Sequence, residues 1–298
     1  MGLVRWLPVL LAVFLFTPAV SAHYYVVLDE NLSYLRPYAA EIAGLHNGSV
    51  VVSNFSNLSF LSGDDYALFV VDRSRFNGEF VYSTYRRLDF DDDGIYDPVI
   101  GFLPVWSADD LVRFYWALTS FKPGRAVFLQ IGKVSYTDYL ILSKNASLIW
   151  LEGHGSPEGL SMGSWELSPS NVGDVSGKAF VLESCDVGRV WETEDSLAMA
   201  LIRAGSPAVV ASIDMGGISY LPNRFWASGY PLGKLVQISN AYFLKVGVPP
   251  KAVLYGDPAL VPVNSSEYTL VKSSANGIYA RIFPCVNGYV YTPGKTGL

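Results

Sequence analysis

Short runs of β-branched and aromatic residues alternate along the chain with stretches whose apolar residues recur every three or four positions. The runs at 24–28, 49–52, 67–71, 126–131, 147–151, 179–182 and 208–212 predict strands, and the stretches at 33–45, 107–120, 196–204 and 233–246 predict helices. Strands and helices that alternate in this way predict an α/β sandwich, a mainly parallel sheet with helices packed on it. Uninterrupted apolar strands such as Ala208-Val209-Val210-Ala211 suit burial on both faces. A sheet of this kind places ligands at the carboxyl ends of its strands. Beyond Pro258 the pattern turns to alternating runs around 268–271, 278–283 and 289–291, separated by Asn276-Gly277 and Asn287-Gly288, which predicts a small C-terminal antiparallel β appendage.

The first 22 residues read differently from the rest. Arg5, an apolar stretch from Trp6 to Phe16, a breaking Pro18 and the small residues Ser21 and Ala22 predict a cleaved signal peptide. An uncleaved anchor is the alternative, although Pro18 cuts the stretch below the roughly 20 residues of a membrane span. The expected organisation is a leader at 1–22, an α/β unit at 23–260 and a β extension at 261–298. Asn-x-Ser sequons at Asn31, Asn47, Asn54, Asn57, Asn145 and Asn264 agree with export and with a glycosylated surface.

Half of the 298 residues are apolar and 16% are charged, which excludes a disordered chain and supplies a large core. Lys and Arg number 21 against 27 Asp and Glu, a net charge of -6 with no basic run, so nucleic acid is not an expected partner. Two cysteines, Cys185 and Cys285, are too few for a disulfide-stapled scaffold.

Two predicted strand ends carry reactive side chains. Ile149-Trp150-Leu151-Glu152-Gly153-His154-Gly155 ends in a histidine between glycines, and Ala179-Phe180-Val181-Leu182-Glu183-Ser184-Cys185 ends in a cysteine. Adjacent parallel strands would bring them together. A thiol becomes a useful nucleophile when an imidazole stabilises its thiolate or takes its proton, so the pair is the minimum equipment for covalent acyl transfer. Gly155 permits close approach of a substrate, and the N–H groups of Gly155 and Cys185 suit an oxyanion hole. Zinc is not expected, because no further Cys or His stands at ligand spacing.

The segment from Asp89 to Val105, reading DFDDDGIYDPVIGFLPV, and Tyr255-Gly256-Asp257-Pro258-Ala259-Leu260 complete a set with His154-Gly155 and Glu183-Ser184-Cys185. Together these motifs resemble the gingipain-like cysteine peptidases of the caspase-type clan, over roughly residues 24–260. The resemblance implies a caspase-like three-layer sandwich, Cys185 as nucleophile, His154 as general acid/base, and Gly155 and Cys185 amides as oxyanion donors. It implies that Asp97, three residues before Ile100, orients the histidine. It places an acid on the floor of the pocket for the residue before the scissile bond (P1) at Asp110, and the wall of that pocket at Ser212, Ile213 and Asp214, with Asp214 a second reader of a basic P1. Ser107-Ala108-Asp109-Asp110 also reads as a helix capping box. Phe102 departs from the family, which usually carries Arg after its Ile-Gly pair.

The implied function is a secreted cysteine endopeptidase acting on protein or peptide substrates, with no cofactor needed for the chemistry. A sortase-like transpeptidase and a non-catalytic, glycosylated surface module are the alternatives on the same scaffold. Asp89, Asp91, Asp93, Gly94 and Asp97 also fit positions one, three, five, six and nine of an EF-hand-type loop, although Ile100 stands where the bidentate Glu belongs. That pattern predicts a structural calcium site that competes with the histidine for Asp97.

Overall fold

The computed structural model describes residues 22–218, 223–264, 269–272 and 279–282. The predicted leader, Cys285 and the run at 289–291 lie outside the described residues. A nine-stranded sheet forms the centre, built from β1 (Tyr24–Asp29), β2 (Ser49–Ser53), β3 (Tyr66–Asp72), β4 (Val99–Val105), β5 (Arg125–Gln130), β6 (Ala146–Glu152), β10 (Ala179–Glu183), β11 (Ala208–Ser212) and β12 (Ala252–Gly256). Their order is β2-β1-β3-β4-β12-β11-β10-β6-β5. Every neighbouring pair is parallel except β11 with β12, so the strands from β2 to β12 run one way and those from β11 to β5 the other. The carboxyl ends of β10 and β6 therefore lie at the same edge as the amino end of β4.

Alternate residues of β6 and β10 point to opposite faces, the geometry of any pleated strand. Ile149, Leu151, Phe180 and Leu182 join one apolar cluster with Leu201 of α5 (Leu197–Arg203) and Leu111 and Phe114 of α3 (Ala108–Ser120). Leu148, Trp150, Ala179 and Val181 face the other way, against Trp226 and against Leu232, Leu235 and Val236 of α6 (Leu232–Lys245). This burial on both faces is what the uninterrupted apolar strands require. Three further helices, α1 (Arg36–Gly44), α2 (Gly78–Arg87) and α4 (Tyr136–Ser143), contribute Ile42, Val81 and Tyr139 to the first cluster. Among the described residues no helix is long and apolar enough to cross a membrane.

β4 and β12 lie outside the predicted strands, and their glycines explain why. A β-carbon on Gly101 in β4 would lie 2.2 Å from the carbonyl oxygen of Gly256 at the end of β12. The glycine that interrupts the apolar run is therefore a point of close approach between the two halves of the sheet. Pro104 has no N–H for a ladder, and pairing of β4 with β12 is confined to Phe102 opposite Tyr255. The predicted appendage appears as β13 (Thr269–Lys272) and β14 (Tyr279–Ile282), an antiparallel pair. Before it, the chain stays against the main sheet past residue 260, with Val263 bridged to Gly124 and Pro262 accepting from Ser147 Oγ at 2.7 Å.

Asp257 ties the first strand of the main sheet to the last one in that sheet. Its carboxylate accepts from the Tyr24 hydroxyl at 3.0 Å and lies 3.1 Å from His46 Nε2, while Tyr24 and His46 stack at 4.1 Å. Burial disfavours the imidazolium, but the Asp257 carboxylate outweighs it and raises the His46 pKa above its ordinary 6.5. A base raised on folding adds stability that is complete below the unfolded value and disappears as pH rises through the folded one. The melting temperature of the native chain, taken relative to His46→Gln, is expected to decline from about pH 6 to about pH 8. A difference that is flat across that range would show that the pair adds nothing.

Candidate active site

β6 and β10 are adjacent and in register, with Leu151 opposite Leu182 and Glu152 opposite Glu183. Gly153 N–H extends the pairing by donating to Glu183 O at 3.2 Å. His154 and Cys185 thus each stand two residues beyond a paired glutamate, at the same edge of the sheet. β7 (His154–Ser156) then folds into a small antiparallel sheet with β8 (Gly159–Ser161) and β9 (Glu166–Leu167), which the sequence pattern left unpredicted. Its strands span two or three residues, too few to display a period.

Gly155 is the point of contact between the two strand ends. A β-carbon there would lie 2.5 Å from Cys185 O, 2.6 Å from Ser184 Oγ and 2.4 Å from Val187 Cγ2. Cys185 is a half-buried free thiol, and its own N–H has no partner among the described residues. His154 is exposed, with a ring that has no hydrogen-bond partner among the described residues. The thiol sulfur accepts from Gly216 N–H at 3.1 Å.

The chain after Cys185 is laced to the turn that follows β11. Asp186, with φ of 56°, donates its N–H to Asp214 O at 3.3 Å, and Gly188 N–H donates to Ser212 O at 2.7 Å. Arg189 donates through Nε to Ile213 O at 2.9 Å and pairs with Asp186 at 3.1 Å, Glu192 at 3.2 Å and Asp214 at 3.7 Å. Ser212 Oγ donates to Asp214 O at 2.8 Å. Ser212, Ile213 and Asp214 therefore stand beside Cys185, where the resemblance expects a pocket wall, and Arg189 is a neighbour that no sequence motif announced. Burial and the nearby Asp214 raise the pKa of Tyr82 on α2, against the opposing pull of Arg189.

Two glutamates complete the surroundings. Glu152 accepts from Gln130 Nε2 at 2.6 Å, and Glu183 reaches so far under the turn that a β-carbon on Gly217 would lie 1.5 Å from Glu183 Oε1. Both carboxylates follow apolar strand residues and read as ordinary strand ends in sequence. Their register, not any motif, makes them a pair.

Asp110 stands elsewhere. It follows the carboxyl end of β4, which runs opposite to β10, so it lies at the other edge of the sheet from Cys185. There its carboxylate accepts from Trp106 N–H at 2.7 Å and Ser107 N–H at 3.1 Å, in the capping box of α3, and lies 3.9 Å from Arg203 Nε. The helix-cap reading is the one the geometry bears out, and Asp110 does not line a pocket with Cys185.

Asp97 is likewise engaged away from His154. Its carboxylate accepts from Phe90 N–H at 2.6 Å, and its backbone oxygen accepts from Gln237 Nε2 at 2.7 Å. One carboxylate oxygen each from Asp89, Asp91 and Asp97 lie within 4.8 Å of one another. Asp93 is outside that group; its carboxylate caps Ile95 N–H at 2.8 Å. The described contacts of Asp97 thus lie in the acidic loop and with α6, and none is to His154.

No protein-family model matches the chain, and no curated protein matches it. Among solved structures, one described as "Structure of Protease" superposes over 85% of this chain and 82% of its own, with a TM-score of 0.53 at 10% identity. The likeness is one of fold, an α/β architecture with a large, mainly parallel sheet.

Proposed function

We propose that this protein is a secreted, gingipain-like cysteine peptidase. The observation that carries the reading is the seating of Gly155 on the Cys185 carbonyl and the Ser184 hydroxyl, which puts His154 and a free thiol at adjoining positions just beyond neighbouring parallel strands. In the reaction, the Cys185 thiolate attacks the scissile carbonyl carbon as the carbonyl π pair moves to oxygen. Cys185 N–H, without a partner among the described residues, and Gly155 N–H receive that oxyanion. His154 then gives its proton to the departing amine, and water cleaves the resulting thioester with the imidazole as base. A fold shared with a solved protease supports the reading. Export is supported by the leader-like N-terminus, and glycosylation by the exposure of all the sequon asparagines.

A basic P1 residue suits the carboxylates around the thiol. Arg189 engages Asp186 and Asp214, and Glu152 and Glu183, paired in register at the ends of β6 and β10, add negative charge that favours an incoming cation. Digestion of a random peptide library is expected to yield cuts after Lys and Arg, with the P1 profile unchanged in Asp110→Asn and relaxed in Glu183→Gln. Cuts without P1 preference, or a preference abolished by Asp110→Asn, would refute this assignment. No cutting at all would count against the peptidase.

The Asp89, Asp91 and Asp97 carboxylates fit a hard divalent cation, and we assign them a structural calcium ion that stiffens the loop before β4. Chelation is expected to lower the melting temperature of the native chain and leave that of Asp91→Asn unchanged. Identical melting with calcium and with chelator would remove the ion from the account.

A further inference from the structure

Lys251 is buried, 5% exposed, immediately before β12. A buried ammonium is costly unless something specific receives it. Among the described residues no carboxylate lies within ion-pair distance; the Nζ donates instead to Met215 O at 2.6 Å and sits 4.8 Å from the centre of the Phe243 ring. Its backbone is fixed on both sides. Lys251 N–H donates to Asn240 Oδ1 of α6 at 3.1 Å, and its carbonyl accepts from Ile213 N–H at 3.0 Å.

The carbonyl that Lys251 holds belongs to the same peptide group as the Gly216 N–H. In a planar trans peptide the C=O and N–H point in opposite directions, so fixing the oxygen aims the hydrogen. Here the hydrogen is aimed at Cys185 Sγ, 3.1 Å from the nitrogen. The ammonium also polarises the peptide, which strengthens the N–H as a donor. Gly216 has φ of 81°, and a β-carbon on it would lie 2.9 Å from Lys251 Nζ, so the turn needs glycine for its conformation and for the closeness of the lysine.

We propose that Lys251 is a positioning residue for the nucleophile: it clamps the Met215–Gly216 peptide so that the Gly216 N–H supports the Cys185 thiolate. This rests on the assignment of Cys185 as the reactive thiol. The other charged and titratable neighbours named above are His154, Glu183, Asp186, Arg189 and Asp214, and none of them is itself altered by a substitution at Lys251.

The test is the rate of Cys185 alkylation by iodoacetamide at neutral pH, followed by peptide mass mapping that separates it from Cys285, in the full chain. Lys251→Met is expected to slow alkylation by about tenfold, the scale of one hydrogen bond to a charged group, and Lys251→Arg to recover most of it. Wild-type speed in folded Lys251→Met, or no recovery in Lys251→Arg, overturns the proposal. Should Lys251→Met not fold, amide exchange of the Met215–Gly216 peptide decides instead. Alkylating Cys185 in the wild type is expected to accelerate exchange at Gly216, and unchanged exchange overturns the proposal. Failure of the peptidase reading would look different, as a wild-type Cys185 no more reactive than a free cysteine whatever stands at 251.

Discussion

Cys185→Ala is expected to lower peptide-cleaving activity by at least about a thousandfold, the scale seen when a covalent nucleophile is removed, while leaving the fold intact. The side chain is half-buried, and its described polar contacts are the acceptance of Gly216 N–H by sulfur and of Val187 N–H by the backbone oxygen. Alanine removes the first and keeps the second. The apolar residues that hold β10 in place, Phe180 to Leu182, are untouched. Melting temperature and circular dichroism should therefore match the wild type closely. Residual turnover near the wild-type rate would show that the chemistry lies elsewhere.

The second large effect is expected at a residue that has no side chain. Gly155→Ala would force a β-carbon to within 2.5 Å of the Cys185 carbonyl, and a backbone atom held by Val187 N–H at 2.7 Å has little room to yield. The strain must be relieved by moving β7, and with it His154, away from the thiol. A displacement of about an ångström between reacting groups costs on the order of a hundredfold in rate. Turnover is therefore expected to fall by about that factor, with a smaller loss of thermal stability because the exposed β7 contributes little to the core. Wild-type kcat/KM in Gly155→Ala would mean that the two strand ends do not work together.

Much of this architecture is legible in the sequence because buried parallel strands write themselves as apolar runs. β6 and β10 were readable from Ile149-Trp150-Leu151 and Phe180-Val181-Leu182, and their reactive ends followed from chain continuity. β4 was not, since Gly101 and Pro104 break its run for reasons that lie in β12, more than a hundred residues away. The misplacement of Asp110 has a related cause. A resemblance in sequence carries no information on strand direction, and the reversal between β11 and β12 sends the end of β4 to the far edge of the sheet. Asp257 stands in a motif the sequence makes visible, but its contacts with Tyr24 and His46, which join the two ends of the sheet-forming chain, are legible only in the structure. Lys251 left no trace in sequence, where Pro249-Pro250-Lys251 reads as an ordinary loop. Its meaning lies in a contact to Met215, across 36 residues of chain.

The most direct test of the account is covalent labelling of the native protein with acyloxymethyl ketones bearing Lys or Arg at P1, followed by peptide mapping. These electrophiles need an activated thiol, an imidazole and an occupied P1 pocket at once. The expected result is an adduct on Cys185 that disappears in His154→Ala. Absence of an adduct on Cys185 across a full panel of P1 groups, or labelling undiminished by the loss of His154, would contradict it.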